Sequence, residues 1–444
     1  MQADRPLVLR GATVIDGWSR NPRPNTTLLI RNQHIAAMGT GDEVGVPDGA
    51  EVVDLNGRWI IPGLIDMHCH IKEGFAPDFV SAGVTTVRNT AGNLKELHRL
   101  RMAPPDARTP RVISADRIID GPPGMWPGGT GLGQCLVSTV DEARAEVRIQ
   151  IELGADLVKV YSLLSPAIAQ AVAEEAAAHG VPTSCDIAYA TEWNIRDAAR
   201  MGYRWNEHAT GFLQALYPDY NQRDPVKRDV VPWDEPGSPA LDALCAEIVD
   251  RGMMLCPTMS IFEQAHRLPD YWWRDTPAGR HTLGLIGGQW AQYAVHPNLK
   301  AFGRLAGWNQ AIACAYRAAG GVVVVGTDSP ASVYTAPGNT MHLELELFVA
   351  NGWSPMEALM AATGMPAAAM GRTDIGVVRP GAWADLVILT ADPLADIRNT
   401  LSIETVVKGG RRYTPEEPLE HLPTEEELIA AWEQLKADYE RNGR

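Results

Sequence analysis

Cysteine is sparse in this 444-residue chain, and none of the six residues (Cys69, Cys135, Cys185, Cys245, Cys256, Cys314) forms a CxxC pair. Thiols scattered in this way read as reduced cysteines of a cytoplasmic protein, not as a disulfide framework. Long apolar runs are missing too. The longest purely aliphatic stretch, Val322-Val323-Val324-Val325, is far short of the roughly 20 residues that cross a bilayer. No export signal is expected, because Asp4 and Arg5 stand where its apolar core would begin. Basic residues are in deficit: 39 Lys+Arg against 54 Asp+Glu give a net charge of −15. A nucleic-acid-binding or anionic-membrane surface is therefore not expected. What the chain has in plenty is apolar residues, at 45% against 21% charged, enough for a large core and too many for disorder.

Residues 7 to 65 carry Val, Ile and Leu at short spacing, punctuated by Gly, Asn and Asp, as half-buried strands require. The same texture returns in WADLVILTAD and IETVVKGGRRY, between 383 and 413. Two strand-rich ends around a different middle predict one small sheet domain built from both, 1–62 plus 378–415. The middle, 63–377, alternates. Eight strand-like segments (WIIPGLIDMH, VTTVRN, RVISAD, DLVKVY, VPTSCDI, RWNEHA, MMLCPTMS, VVVVGTDS) are mostly separated by stretches of helical period. Thr139-x-x-Glu142 is a capping box, and Ser165-Pro166 and Ser238-Pro239 each predict a cap followed by proline in the first turn. Gly83, Gly154, Gly180, Gly202, Gly252 and Gly321 precede six of the eight segments, where a left-handed helix end belongs. Eight such units in a row predict an α/β fold, a closed (β/α)8 TIM barrel. Two stretches, 211–237 and 261–300, exceed ordinary loop lengths and read as lids, and 416–444 reads as a charged helical tail after a proline-rich connector.

The densest chemistry closes the first of these segments, in Asp66-Met67-His68-Cys69-His70. Residues two apart on a strand share a face, so His68 and His70 would converge at the mouth of a barrel, as a divalent metal needs. Asp328 follows the eighth segment and His208 the sixth. Lys159 lies inside the apolar run of the fourth, where an unpaired lysine is rare. A cap, a core histidine and a snorkelling lysine would explain each alone, but not their common placement at strand ends.

On PGLIDMHCH, GVTTVRN, GADLVKVYS, VVVVGTDS, ELELFVANGWSPMEALMAAT and GVVRPGAWADLVIL, the chain resembles the metal-dependent amidohydrolase superfamily, in particular its imidazolonepropionase-like and prolidase-like branch. The resemblance runs from Leu7 to about Tyr413. It implies a barrel joined to a small β-sandwich made of both chain ends. It also implies that His68, His70 and Asp328 hold one metal ion. Lys159, carbamylated by CO2, would bridge to a second ion that His208 also binds. One or two divalent ions are expected, usually Zn2+, with Mn2+ or Fe2+ as alternatives. The sequence departs from the family in one place: no histidine occurs between His179 and His208, and Asp186 stands nearest to the fifth-strand ligand. If Asp186 ligates, the second ion keeps an anionic partner; if it does not, one ion works alone.

The resemblance further implies a hydrolase in which metal-activated water attacks a carbonyl and Asp328 passes the proton to the leaving amine. A peptide or N-acyl amino acid, even a bulky natural-product peptide, is the favoured substrate. A cyclic amide, a carbamate or urea, or deamination are the alternatives, and a catalytically silent scaffold is the rival from another class. A homo-oligomer is expected. Tyr161, Arg88 and Trp126 are candidate substrate contacts: Tyr161 shares the face of Lys159, Arg88 could grip a carboxylate or pair internally with an acid, and Trp126 could wall the pocket. His342, at helical spacing, reads as a packing residue. The aromatic residues of the two long stretches, Tyr217, Tyr220, Trp233, Tyr271, Trp272, Trp273, Trp290 and Tyr293, suit a bulky ligand, an oligomer interface, or the lids' own core.

Overall fold

The computed structural model describes residues 5–125, 132–267, 272–296, 299 and 302–442. Both ends of the chain meet in one eight-stranded sheet. Leu7–Val14 pairs antiparallel with Arg23–Arg31 and parallel with Glu51–Asp54 and Trp59–Pro62. Trp59–Pro62 then pairs antiparallel with Leu386–Leu389, which pairs with Ile403–Lys408 and through it with Arg411–Tyr413. Leu9, Leu28, Ile60, Leu386, Ile388 and Val407 form the dry layer of this sheet, the period-two burial that the apolar spacing of both ends calls for.

Read as one strand, WIIPGLIDMH divides at Gly63: Trp59–Pro62 stays in the sheet, and Leu64–Cys69 starts a parallel array. Leu64–Cys69 pairs with Val84–Asn89, and that strand with Arg111–Ser114. A bridge from Ala115 to Leu157 leads on to Val158–Val160, Thr183–Cys185, Trp205–Glu207 and Met254–Cys256, each parallel to the last. Bridges Leu255–Val323 and Cys69–Ser329 bring in the eighth segment, VVVVGTDS, and return to the first strand. Four hydrogen bonds secure that return: Met67 N–H to Val325 O at 3.0 Å, Thr327 N–H and Asp328 N–H to His68 O at 3.0 and 2.6 Å, and His70 N–H to Ser329 O at 2.9 Å.

Helices cover the outside of the array. Val140–Glu152 starts with the expected reciprocal capping box of Thr139 and Glu142, and Ser238 caps Pro239–Asp250. Ser165 precedes Pro166–Ala178 without a side-chain cap bond, leaving proline as the start signal there. Ahead of the eighth segment it is Gly320, at φ +84°, that takes the left-handed conformation. Gly321 is instead required by space, since a Cβ there would strike the ring of Tyr316.

The stretch 261–300, expected to be an extended loop, is largely helical where described: Met259–Arg267, Trp272–Asp275 and Pro277–Tyr293. Pro277–Tyr293 starts from Thr276, whose hydroxyl accepts the Gly279 N–H at 3.0 Å. His281 Nδ1 at 2.8 Å and Thr282 Oγ1 at 3.1 Å fasten this helix to Asp78, on the helix Ala76–Ser81. Trp273, Trp290 and Tyr334 pack edge to face beneath it, so Trp273 and Trp290 serve the lid's own core. The tail helix spans Glu425–Asn442. No helix among the described residues is long and apolar enough to cross a membrane.

Gly326 marks the tightest approach between the eighth segment and the first strand. A Cβ at this position would collide with Cys256 Sγ and lie 2.8 Å from the His68 backbone nitrogen. Neither backbone can move without breaking the hydrogen bonds that join the two segments. Gly326→Ala is expected to lower stability by about 1–3 kcal/mol, the usual cost of overpacking, read by urea unfolding at constant m-value.

Candidate metal centre

The parallel strands all end on one side, and their last residues meet there. His68, on Leu64–Cys69, and His70, just past its end, both present Nε2 to the same oxygen: Asp328 Oδ1 lies 3.1 Å from His68 and 2.8 Å from His70. His208, the residue after Trp205–Glu207, places its ring 4.4 Å from that of His68, centroid to centroid. Donor atoms of His68, His208 and Asp328 all lie within 4.8 Å of one another. His208 and Asp328 are left-handed, at φ +63° and +54°. Such a backbone costs a non-glycine residue about 1–2 kcal/mol, and here it occurs where each chain segment turns away from the strand direction at the mouth.

Each histidine is fixed by its other nitrogen. His68 Nδ1 donates to Glu207 Oε2 at 2.7 Å, and His70 Nδ1 faces the Ala91 carbonyl at 3.4 Å. Thr258 Oγ1 gives its own proton to the Pro257 carbonyl at 2.7 Å, so it must accept from His208 Nδ1 at 2.6 Å. That proton inventory leaves the His208 Nε2 lone pair free. Burial, reinforced by the charge of His68, lowers the His208 pKa to about 4, which keeps the ring neutral. Outer partners of this kind set tautomer and orientation in histidine metal sites. For Asp328, burial opposes ionisation, but the hydrogen bonds with His68 and His70 outweigh it and hold the carboxyl well below the ordinary range.

Lys159 Nζ is buried beside these groups and has no hydrogen-bond partner among the described residues. Asp186, also buried, places Oδ2 3.6 Å from His208 Nε2 and accepts the Ala188 N–H on Oδ1 at 3.1 Å. The Tyr161 hydroxyl donates to Asp186, and burial together with that carboxylate raises the phenol well above its usual pKa. Arg88 is a correction. It turns inward instead of toward the cleft, donating from Nε to the Met67 carbonyl at 2.6 Å and from Nη2 to Glu207 Oε1 at 2.7 Å. The guanidinium also stacks 4.4 Å from the ring centroid of Trp205 and is 2% exposed, so it pairs internally and does not meet a substrate carboxylate. Trp126 lies outside the described residues, although its neighbour Met125 lines the cavity. His342 packs as expected, between Thr400 and the Ala82 carbonyl.

Glu207 is the functional neighbour that pattern reading missed. It accepts from His68, from Arg88 and, at 2.5 Å, from Ser184 Oγ. The signal was present: a carboxylate directly before His208 at the end of an apolar strand. His68, Glu207 and Cys256 also lie close enough to suggest a second ion. However, Glu207 is already saturated by donors, and burial pushes the Cys256 thiol well up, so this cluster supports the centre without forming another. A cavity of about 250 Å³ opens over the centre, walled by His208, Asp328, Asp186, Tyr161, Leu213, Phe262 and Trp308.

A model of the amidohydrolase family matches residues 306–413. An ochratoxinase of Aspergillus niger is 25% identical over 324 residues, and the match spans 68% of this chain but only 55% of the length of that relative. Its crystal structure superposes with a TM-score of 0.64 at 21% identity, covering 93% of this chain and 96% of that one. A molinate hydrolase gives 0.69 at 20% identity, covering 96% and 99%. A Xaa-Pro dipeptidase with methionine in its active site gives 0.67 at 18% identity, covering 92% and 99%. The chain thus resembles the amidohydrolase family over residues 306–413 and shares its fold with these solved hydrolases.

The residues at the mouth fit a divalent cation. Imidazole nitrogens with fixed tautomers and a carboxylate oxygen converge on one point, a donor set suited to zinc and its neighbours. The buried Lys159 nitrogen without a partner is the kind of group that conversion to a carbamate would relieve. If Glu207 orients His68, Glu207→Gln should weaken metal affinity by about 10–100-fold, measured by competition with a chromophoric chelator.

Proposed function

We propose that the chain is a metal-dependent hydrolase of an amide-type C–N bond, built on a closed (β/α)8 barrel. The cyclic order of strand pairings supports the barrel. One observation carries the chemistry: two histidines aim Nε2 at a single Asp328 oxygen, with a third imidazole held neutral beside them. Likeness to an ochratoxinase and a molinate hydrolase supports the reaction class, and the Xaa-Pro dipeptidase beside them favours a peptide or N-acyl amino acid substrate.

His68, His70 and Asp328 would hold one ion. Carbamylated Lys159, His208 and Asp186 would hold a second, with zinc the favoured metal. When bound, the metal supplies Lewis acidity, polarising a substrate carbonyl and lowering the pKa of a water molecule. The chain does the rest. Asp328 Oδ1, fixed between His68 and His70, is placed to take the proton of the attacking water and return it to the leaving nitrogen. Leu213, Phe262 and Trp308 exclude bulk water, which strengthens every charge interaction inside the cavity. Tyr161, hydrogen-bonded to Asp186, offers the substrate an orienting contact at the cavity wall.

Metal analysis of the purified protein tests the reading first. At least one transition-metal ion per chain is expected; a metal-free protein that hydrolyses no N-acyl amino acid after zinc or manganese addition rules the hydrolase out. Asp328→Asn should cut kcat by about 10²–10⁴-fold with the fold intact by circular dichroism. Asp186→Ala should reduce the metal content by one ion while His68 and His70 keep theirs. Unchanged stoichiometry would remove Asp186 from the ligand set.

A further inference from the structure

Beyond the inner cavity lies a second, outer chamber that shares Tyr189, Tyr220, Gln222, Phe302 and Leu305 with it. Three arginines, Arg223, Arg228 and Arg304, line the outer chamber. Arg223 lies over the ring of Tyr189 at 4.6 Å and Arg304 over that of Trp233 at 5.4 Å. Among the described residues none of the three has a carboxylate within ion-pair distance, whereas Arg88, Arg111, Arg117, Arg144, Arg196 and Arg317 all do. The acids nearby do not neutralise them. Asp229 sits on the chamber wall, and Asp120 is buried, with Arg223 favouring its ionised form from beyond contact distance.

We infer that this chamber is a second subsite, which takes a carboxylate at the far end of a substrate whose apolar body fills the inner cavity. The inference rests on the hydrolase reading and names the substrate class for it. Three unpaired guanidiniums at one opening are unusual on a protein of net charge −15, where acidic partners are abundant. Stacking on Tyr189 and Trp233 leaves the guanidinium edges without a carboxylate, with Arg223 Nη2 donating to the soft Met125 sulfur at 3.9 Å, and those edges are what a carboxylate binds in bidentate fashion. The overall negative charge does not cancel this local field, because at physiological salt charges more than about 8 Å away are largely screened. The inner walls, Leu213, Phe262 and Trp308, are apolar, so the two chambers in series select a molecule that is greasy next to the metal centre and anionic at its distal end.

The test is equilibrium binding to the metal-loaded full chain, which needs no turnover. The probes are 4-phenylbutyrate and its neutral twin 4-phenylbutyramide, titrated by calorimetry into the wild type and into an R223Q/R228Q/R304Q variant. The carboxylate should bind the wild type about tenfold more tightly than the amide, and the gap should shrink as sodium chloride rises from about 50 to about 500 mM. In the variant the two probes should bind alike, with the affinity for the amide unchanged. Equal binding of both probes to the wild type, or binding of neither, overturns the subsite. So does a carboxylate preference that survives in the variant, since the anion then sits at the metal centre. A chain that binds as expected but carries out no hydrolysis leaves the subsite standing and removes the catalytic reading alone.

Discussion

The carboxylate of Glu207 has no access to water, yet it is ionised, because Arg88 lies on one side and His68 on the other. Burial by itself would push its pKa up. The charge of Arg88 and the hydrogen bond from His68 Nδ1 outweigh that and hold it well below the ordinary carboxyl range. Removing one partner from such a pair typically costs about 3–5 kcal/mol, because the other charge is left stranded in a medium that cannot solvate it. The arrangement ties four strands together: Arg88 comes from Val84–Asn89, His68 from Leu64–Cys69, Glu207 from Trp205–Glu207 and Ser184 from Thr183–Cys185. Trp205, under the Arg88 guanidinium, closes the lower side. Every ligand position at the mouth is built on this anchor, since it fixes the His68 tautomer and with it the direction of Nε2.

The same economy governs the layers above. His208 is oriented by Thr258, and Thr258 by the carbonyl of its own neighbour, so a chain of three groups with one possible proton order decides which lone pair faces the cavity. Asn309, from the helix Leu305–Ala318, donates to both the His208 and Pro257 carbonyls, which couples that helix to the mouth. That part of the cavity wall is thus continuous with the scaffold.

Much of this was legible in the chain itself. His68-Cys69-His70 and the aspartate after a valine run are spaced by strand geometry, and strand geometry is what brought them together. Lys159 betrayed itself as a cation among aliphatic residues. Glu207 and Arg88 were harder to read, because a buried ion pair joins residues more than a hundred positions apart and neither member marks its partner. Arg88 could be read as a binding group or an internal one, and only its distances decide. The lid shows the opposite limit. Its tryptophans were visible, but whether they face a ligand or each other depends on where Pro277–Tyr293 settles, and Asp78 on a distant helix determines that.

The pairing of Trp59–Pro62 with Leu386–Leu389 has a kinetic meaning. Ile60 and Ile388 are direct neighbours in that ladder although most of the polypeptide lies between them. Contacts of such high order come late, because the entropy of closing so long a loop must be met before the ladder gives anything back. Until Leu386–Leu389 arrives, Trp59–Pro62 presents an open edge on the side that the ladder later covers.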